Sequence, residues 1–201
     1  LAIGANNRKF YEARGVPARR IFSVPYAIDN ARFRLDDQER VTERTSVRSQ
    51  YGICGAAVVF GFIGKIVENK RPLDLVIALA NLRPAYPVAP HLIVIGSGPL
   101  EEEMAREAAA QGVGDRVHFL GFRNQAEMPG LIAAIDVLVL TSRRERWGLV
   151  VNEAMAGGVP VIAYANVGCA GDLIVDGFSG RVVRDGDRDE LAGAFLEAMN
   201  P

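Results

Sequence analysis

The chain has 201 residues, of which 49% are hydrophobic, and its formal net charge is −1. This length and apolar content suit one domain with a complete core, or one domain with part of another. The near-zero charge and the lack of a long basic run argue against nucleic-acid binding, and no stretch approaches the ~20 apolar residues of a membrane span.

Two cysteines and two histidines give no sign of disulfide or metal chemistry. Cys54 and Cys169 are far apart in sequence and form no disulfide framework, which indicates a reducing cytosol. His91 and His118 lie in or beside apolar runs without a Cys, His or Asp cluster, and we interpret both as structural. We therefore expect no metal ion and no cofactor. The cytoplasm is the expected compartment, and a peripheral position at the inner membrane face through a missing domain is the alternative.

The first 50 residues differ in character from the rest of the chain. A polar helical pattern covers about 6–14, and a short apolar run at 21–24 predicts a strand. We expect 1–24 to be the tail of a preceding, mostly absent domain. The segment 25–50 is charged, lacks apolar periodicity, and is interpreted as a linker and lead-in. The main domain is then 51–201.

After residue 55, short apolar runs alternate with helical patterns. Six runs predict strands, at 58–63, 92–95, 117–120, 137–140, 159–163 and 180–183. Apolar residues three and four positions apart predict helices between them. Continuous Val, Ile and Leu strands that alternate with helices favour a buried parallel sheet. The predicted fold class is α/β, a Rossmann-like parallel sheet of about six strands with helices on both faces.

Two loops that follow predicted strands are placed to meet a ligand, because ligands of open parallel sheets bind beyond the carboxyl ends of the strands. Lys65 and Lys70 follow the first strand and could reach a phosphate, with two solvated lysines as the alternative. The loop 96–99, Gly-Ser-Gly-Pro, follows the second strand. It lacks the third glycine and the ribose-binding acid of a dinucleotide site, which favours a tight turn and ranks a dehydrogenase last.

The stretch 145–153, Glu-Arg-Trp-Gly-Leu-Val-Val-Asn-Glu, places two carboxylates around the start of a helix. Free N–H groups of Gly148 and Leu149 at that helix start favour an anion. Helical rise over the whole stretch puts Glu153 two turns inside the helix and about 12 Å from Glu145. Glycosidase carboxylate pairs are closer, about 5–9.5 Å apart. We therefore expect the two residues to contact different parts of one long ligand; two solvated carboxylates are the alternative.

These features together predict a nucleotide sugar as the ligand. Its diphosphate would lie over the helix N-terminus with lysines beside it, and the carboxylates would bind flanking hydroxyls. Fixed N–H dipoles and lysine charge would stabilise the departing nucleoside diphosphate, so no metal is required.

Recognisable sequence motifs occur in six segments, at 23–33, 62–70, 93–99, 117–122, 145–161 and 168–180. In this order they resemble the C-terminal, donor-binding domain of the group 1 glycosyltransferases, which are retaining enzymes of GT-B architecture. The segment 145–161 resembles the most specific motif of that family, E-x-F-G-L-x-x-x-E-A-M-A-x-G-x-P-V. The segment 62–70 resembles V-G-R-L-x-x-x-K, whose Arg and Lys hold the diphosphate.

The resemblance implies a role for each candidate residue. Glu145 would be the catalytic residue that holds a donor-sugar hydroxyl and positions the anomeric carbon, and Glu153 would bind the ribose. Phe122 and Arg123 would border the base. The donor diphosphate would be held by four groups: Lys65, Lys70 and the N–H groups of Gly148 and Leu149.

The resemblance also implies a reaction and its partners. The donor would be a UDP- or GDP-sugar bound by 51–201, and the acceptor a glycan, lipid or small molecule bound by the missing N-terminal domain. We expect nucleotide binding, but no hexosyl transfer, by this segment alone. A nucleotide-sugar epimerase of the same architecture is one alternative, recognised by an epimerised product without an acceptor. A non-catalytic nucleotide-binding module is another.

Three departures from the family pattern concern the identity of the donor sugar rather than the fold. Lys65 stands where Arg is usual, which keeps the charge but loses bidentate geometry. Thr141 stands where Pro is frequent, and Asp172 stands where Glu is usual. A cluster of arginines also surrounds Glu145. It is either a solvated loop, the more common role of charged residues, or a site for an anionic donor or acceptor. Its members are Arg143, Arg144 and Arg146.

Overall fold

A computed structural model describes residues 1–82 and 88–200 and shows a single parallel sheet of six strands. The predicted fold class is confirmed, and the strand bounds lie close to those predicted. The strands are β1 (Val59–Ile63), β2 (His91–Ile95), β3 (Val117–Gly121), β4 (Val137–Leu140), β5 (Val161–Tyr164) and β6 (Gly180–Val183).

The strand order is β3-β2-β1-β4-β5-β6. The chain adds strands outward from β1 on one side, then returns to place β4 on the other side of β1. Phe60 therefore pairs with Val137, and Gly61 with Leu138. The change of direction opens a crevice at the carboxyl ends of β1 and β4, where doubly wound folds bind their ligands.

Nine α-helices occur in the described residues. They are α1 (Ala5–Glu12), α2 (Asn30–Phe33), α3 (Asp37–Gln50), α4 (Pro72–Asn81), α5 (Glu101–Ala110), α6 (Met128–Ala133), α7 (Leu149–Ala156), α8 (Ala170–Leu173) and α9 (Arg188–Ala198). Short 3-10 turns occur at Ala18–Arg20, Glu68–Lys70 and Gly114–Arg116.

The sheet is buried on both faces, because successive strand residues point to opposite sides. Leu92 and Val94 of β2 pack in the core under α4, α5 and α9, whereas Ile93 and Ile95 pack in the core under α3, α6 and α7. On the first face, the ring of Phe60 stacks on that of Phe195 with centroids 3.9 Å apart. Apolar side chains on both faces explain why the strands read as continuous apolar runs.

Residues 1–24 lie outside the six-stranded sheet. The run at 21–24 forms one parallel bridge, between Ser23 and Ala2, rather than the short strand predicted. Helix α1 contacts α8, and both carboxylate oxygens of Asp172 accept the Ala5 N–H at 3.0 Å. Just after this segment, the ring of Tyr26 contacts the ring of Trp147 edge-on. The assignment of 1–24 to a preceding domain stays a prediction.

Helix α3 occupies much of the segment interpreted as a linker, and the sequence did not predict it. Its start is a capping box, in which Asp36 accepts the Glu39 N–H and the Glu39 side chain accepts the Asp36 N–H. Its buried residues are Val47 and Arg48. A polar helix of this kind shows no apolar stripe, so periodicity could not reveal it.

The two histidines contact each other across β2 and β3. His91 Nδ1 lies 2.9 Å from His118 Nε2, so each ring has a partner, as expected of structural histidines. Burial lowers the pKa of both. The pKa of His91 is lowered further by His118, Arg116 and Arg48 and raised by Asp115. The sequence could not foresee the pair because it depends on the register that places Ile93 beside His118.

This histidine pair is expected to make stability depend on pH. In the unfolded chain both rings titrate near pH 6.5, above their pKa in the folded chain. The unfolded state therefore binds more protons, and stability is complete above about pH 6.5 and falls as the pH drops towards the folded pKa. Urea unfolding of the double variant His91→Asn/His118→Gln, which contains no histidine, should show a flatter dependence between pH 7.5 and pH 5. An unchanged dependence would assign the effect to carboxylates instead.

Candidate functional site

Lys70 and Glu145 meet in the crevice between β1 and β4. Each lies on the loop that follows one of these strands, and the Lys70 ammonium forms an ion pair with the Glu145 carboxylate. The side chains are 23% and 21% exposed. The sequence assigned these residues to different parts of a ligand, and the structure places them in direct contact. An anion that approaches Lys70 therefore competes with Glu145 for its charge.

The turn that carries Lys70 is held from β4. Arg71, the next residue, has a φ of 45°, in the left-handed region that non-glycine residues rarely adopt. The hydroxyl of Thr141 is within hydrogen-bond distance of the carbonyls of Lys70, at 2.8 Å, and Arg71, at 3.1 Å. Pro72 then begins α4 with a fixed φ. The threonine that replaces the usual proline thus connects the end of β4 to the Lys70 turn.

The loop 96–99 packs its backbone against the loop that carries Lys65. A Cβ added to Gly96, which has a φ of 133°, would lie 1.9 Å from the Gly64 carbonyl oxygen. The Ile66 N–H donates to the Ser97 carbonyl at 3.0 Å. This close approach agrees with the tight turn that the sequence predicted. The Lys65 side chain is exposed beside it.

Helix α7 begins at Leu149, after Gly148 in the left-handed conformation with a φ of 96° and a ψ of 63°. The first N–H groups of a helix have no intrahelical partner, so they are available to an anion. Glu153 is the fifth residue of α7, so the prediction that it lies two turns inside is wrong. Glu145 lies outside the helix in a bridge with Val167, so a distance based on helical rise does not apply.

The two carboxylates nevertheless have different surroundings. Glu145 pairs with Lys70, whereas Glu153 is partly buried near Gln125 and Arg32. Burial raises the pKa of Glu153, and the hydrogen bond from Gln125 and the charge of Arg32 oppose that rise. The sequence did not single out Gln125 or Arg32, because only the tertiary fold brings the loop after β3 and helix α2 to α7.

The two residues expected to border the base point in different directions. Phe122 follows Gly121 at the carboxyl end of β3 and is 81% exposed. Arg123 turns back, donating from Nε to the Leu120 carbonyl at 3.0 Å and pairing with Glu127 at 3.2 Å. It lines a cavity of about 520 Å³ between α3 and α6. Phe122 is therefore the better placed of the two for stacking, and their binding role stays a prediction.

Residues 1–82 and 88–200 show neither a metal-binding cluster nor a membrane-spanning helix. No group of three or more His, Cys, Asp and Glu side chains there is arranged to hold a metal ion. Cys54 is exposed, Cys169 is buried, and both are free thiols. No described helix has the length and apolar character needed to cross a bilayer. Binding without a metal remains a prediction.

Comparison with protein sequences identifies relatives that are named as glycosyltransferases. A family model described as "Glycosyl transferases group 1" matches residues 43–200. The D-inositol 3-phosphate glycosyltransferase of Stackebrandtia nassauensis is 36% identical over 161 residues, which are 76% of this chain and 36% of that enzyme. The chain therefore spans less than half the length of this relative.

Comparison with solved structures gives similar folds over nearly the whole chain. HepE of Anabaena in complex with UDP has a TM-score of 0.85 and 26% identity, covering 98% of this chain and 53% of HepE. HepE in complex with UDP-glucose has a TM-score of 0.82 and 25% identity, covering 99% and 53%. The C-terminal domain of LpcC from Francisella tularensis, at 23% identity and a TM-score of 0.74 over 87% of this chain and 89% of that one, shares the fold. The sequence match and these folds together show that the chain belongs to the group 1 glycosyl transferase family.

Proposed function

We propose that this chain is the donor-binding part of a retaining glycosyltransferase and that its donor is a UDP-sugar. The observation that carries the proposal is the position of the Lys70–Glu145 pair, in the crevice between β1 and β4. Both loops of this crevice match the family motifs, and the second leads directly into α7. The complexes of HepE with UDP and with UDP-glucose support uracil as the base.

The diphosphate of the donor would lie over the N-terminus of α7. The N–H groups of Gly148 and Leu149 and the ammonium groups of Lys65 and Lys70 would surround it. The bond from the anomeric carbon to the diphosphate oxygen breaks during transfer, so negative charge grows on that oxygen. Fixed dipoles and lysine charges stabilise this growing charge without rearrangement, which is how preorganised sites lower a barrier.

Glu145 would accept a hydrogen bond from a hydroxyl of the donor sugar while it remains close to Lys70. The same lysine would then contact the diphosphate on one side and Glu145 on the other, which fixes the sugar relative to its leaving group. Retention would follow if the acceptor oxygen attacks from the face that the diphosphate leaves and transfers its proton to a diphosphate oxygen. The acceptor would be held mainly by residues from the part of the relatives' length that this chain does not span. D-inositol 3-phosphate glycosyltransferase is by its name a relative with a phosphorylated acceptor.

Glu153 would bind the ribose hydroxyls, and Phe122 would stack on the base. Glu153 lies on the second turn of α7, beside the loop after β3 that also carries Phe122, because Gln125 of this loop contacts it. Ribose and base are adjacent in a nucleotide, so residues that border both must lie on neighbouring loops. This placement supports Glu153 and Phe122 as the residues that contact the uridine part of the donor.

Calorimetric titration of the chain with UDP, GDP, ADP and uridine tests the proposal. We expect UDP to bind tightest and uridine to bind at least ~10-fold more weakly, because it lacks the diphosphate contacts. Glu153→Gln should weaken UDP and uridine alike, by about 1 kcal/mol. Binding of inorganic pyrophosphate as tight as that of every nucleotide would contradict a nucleotide site.

A further inference from the structure

Three arginine side chains lie around Glu145 on the loop that leads into α7. Arg143, Arg144 and Arg146 are exposed and line a cavity of about 630 Å³ together with Asn166 and Asp185. Within residues 1–82 and 88–200, no carboxylate lies within ion-pair distance of these three guanidinium groups. We call these residues the arginine cluster.

The carboxylates that line the same cavity are already paired with other residues. Glu145 forms its ion pair with Lys70, and Asp185 accepts from Arg71 at 2.8 Å. Within the described part of the chain, the arginine cluster therefore brings three positive charges to a cavity whose own carboxylates are paired elsewhere. Because all three guanidinium groups line one cavity, an anion that enters it can contact more than one of them.

The backbone of the cluster is fixed on its β1 side. The Arg143 N–H donates to the Asn69 carbonyl at 2.7 Å, and the Asn69 side-chain amide donates to the Arg144 carbonyl at 2.8 Å. Asn69 belongs to the 3-10 turn that also contains Lys70. The cluster and the Lys70 turn are thus held as one unit.

The backbone is also fixed on the β5 side. The Gly168 N–H donates to the Glu145 carbonyl at 3.0 Å, and the Cys169 N–H donates to the Trp147 carbonyl at 3.0 Å. A Cβ on Gly168 would lie 2.1 Å from the Arg146 carbonyl oxygen, so only glycine permits this approach. A loop held on both sides loses less entropy when its side chains bind a ligand.

The members of the cluster differ from the groups expected to hold the donor diphosphate, although the two sets lie on adjoining segments. Those groups are Lys65, Lys70 and the start of α7, whereas the cluster surrounds Glu145, the residue on the sugar side. We propose, on the basis of the proposed function, that the arginine cluster binds a second anionic group, a phosphate or carboxylate carried by the donor sugar or by the acceptor. Guanidinium groups suit this role because they bind such groups with two parallel hydrogen bonds.

Paired titrations distinguish the two sources of the anion. In the first arm, the chain saturated with UDP is titrated with glucose 6-phosphate and with glucose. In the second arm, the chain is titrated with UDP-glucuronate and with UDP-glucose. The anionic member should bind at least ~10-fold more tightly in one arm, and that arm identifies the substrate that carries the group.

Variants then assign the preference to the cluster. The triple variant Arg143→Gln/Arg144→Gln/Arg146→Gln should lose the preference while it binds UDP within about twofold of the unmodified chain, since it keeps the diphosphate groups. A matched control, Arg19→Gln/Arg20→Gln/Arg106→Gln, removes the same charge from exposed positions elsewhere and should keep the preference.

Three results would overturn the proposal: no preference in either arm, a preference that survives in the triple variant, or an equal loss of UDP and anion binding in that variant. Failure of the proposed function gives a different result, since the chain would then not bind UDP at all. Glucose 6-phosphate alone would test the cluster in that case. Binding that the triple variant loses would support the anion site, and no binding would reject it.

Discussion

Replacement of Asp136 by alanine is expected to lower the free energy of unfolding by about 3–5 kcal/mol, the cost of leaving a buried charge without its partner. Asp136 precedes β4 at the amino end of the sheet. Its carboxylate binds Arg48 at 2.6 Å and Arg44 at 2.7 Å, and it also accepts the Val59 N–H at 2.8 Å. The change therefore removes a connection between α3, β1 and β4 at once.

Arg48 is the reason why the expected loss of stability is large. Its side chain is 3% exposed, and burial lowers its pKa while Asp136 opposes that effect. Its remaining hydrogen bonds go to backbone carbonyls, with Ala134 at 3.0 Å and Ala57 at 2.8 Å. These acceptors are neutral dipoles, so they compensate the guanidinium charge less well than a carboxylate does.

Urea unfolding followed by the fluorescence of Trp147, the single tryptophan, measures the effect. Arg44→Ala is the matched control, because it removes the partly exposed partner of Asp136 and should cost less than about 1 kcal/mol. Arg48→Met should cost less than Asp136→Ala, since it removes the buried charge together with its need for a partner. A cost for Asp136→Ala no larger than that for Arg44→Ala would show that Arg48 is adequately solvated.

The sheet could be predicted from the sequence because each buried strand leaves an apolar pattern in its own short stretch of residues. A strand buried on both faces must be apolar at every position, and the six runs show this in their composition. The crevice followed from the same reasoning, since the loops after parallel strands share one edge. Residues such as Gly96 and Gly148 also left a signal, because only glycine readily adopts their backbone angles.

The parts that could not be predicted depend on contacts between distant segments. Helix α3 is attached through Arg48 and Asp136 rather than through an apolar stripe, so its sequence resembles a charged linker. The pairing of Lys70 with Glu145 requires β4 to return beside β1, which no local pattern encodes. Glu153 was placed too deep in α7 because the stretch from Glu145 was read as helical, whereas the positive φ of Gly148 delays the helix.

The contact between Lys70 and Glu145 leads to the sharpest functional prediction. Lys70→Ala should weaken UDP binding by about 1.5–3 kcal/mol, or roughly 10- to 150-fold, since a charged hydrogen bond to the diphosphate is lost. Uridine should bind as before, because it carries no diphosphate. Lys9→Ala, at an exposed position on α1, is the matched control and should leave both affinities unchanged.

Glu145→Gln should act in the opposite direction on the same ligand. In the unmodified chain, UDP competes with the Glu145 carboxylate for the ammonium of Lys70. Removal of the carboxylate charge frees the lysine, so UDP should bind equally well or a few-fold more tightly, on the scale of one partly exposed ion pair. The double variant Lys70→Ala/Glu145→Gln should then bind UDP as weakly as Lys70→Ala, because the benefit of the second change acts through the lysine. Calorimetry on the four proteins completes this cycle. If Glu145→Gln lost as much UDP affinity as Lys70→Ala, the assignment of Glu145 to the sugar side would be contradicted. If Lys70→Ala lost UDP and uridine affinity equally, the lysine would support the fold rather than bind the diphosphate.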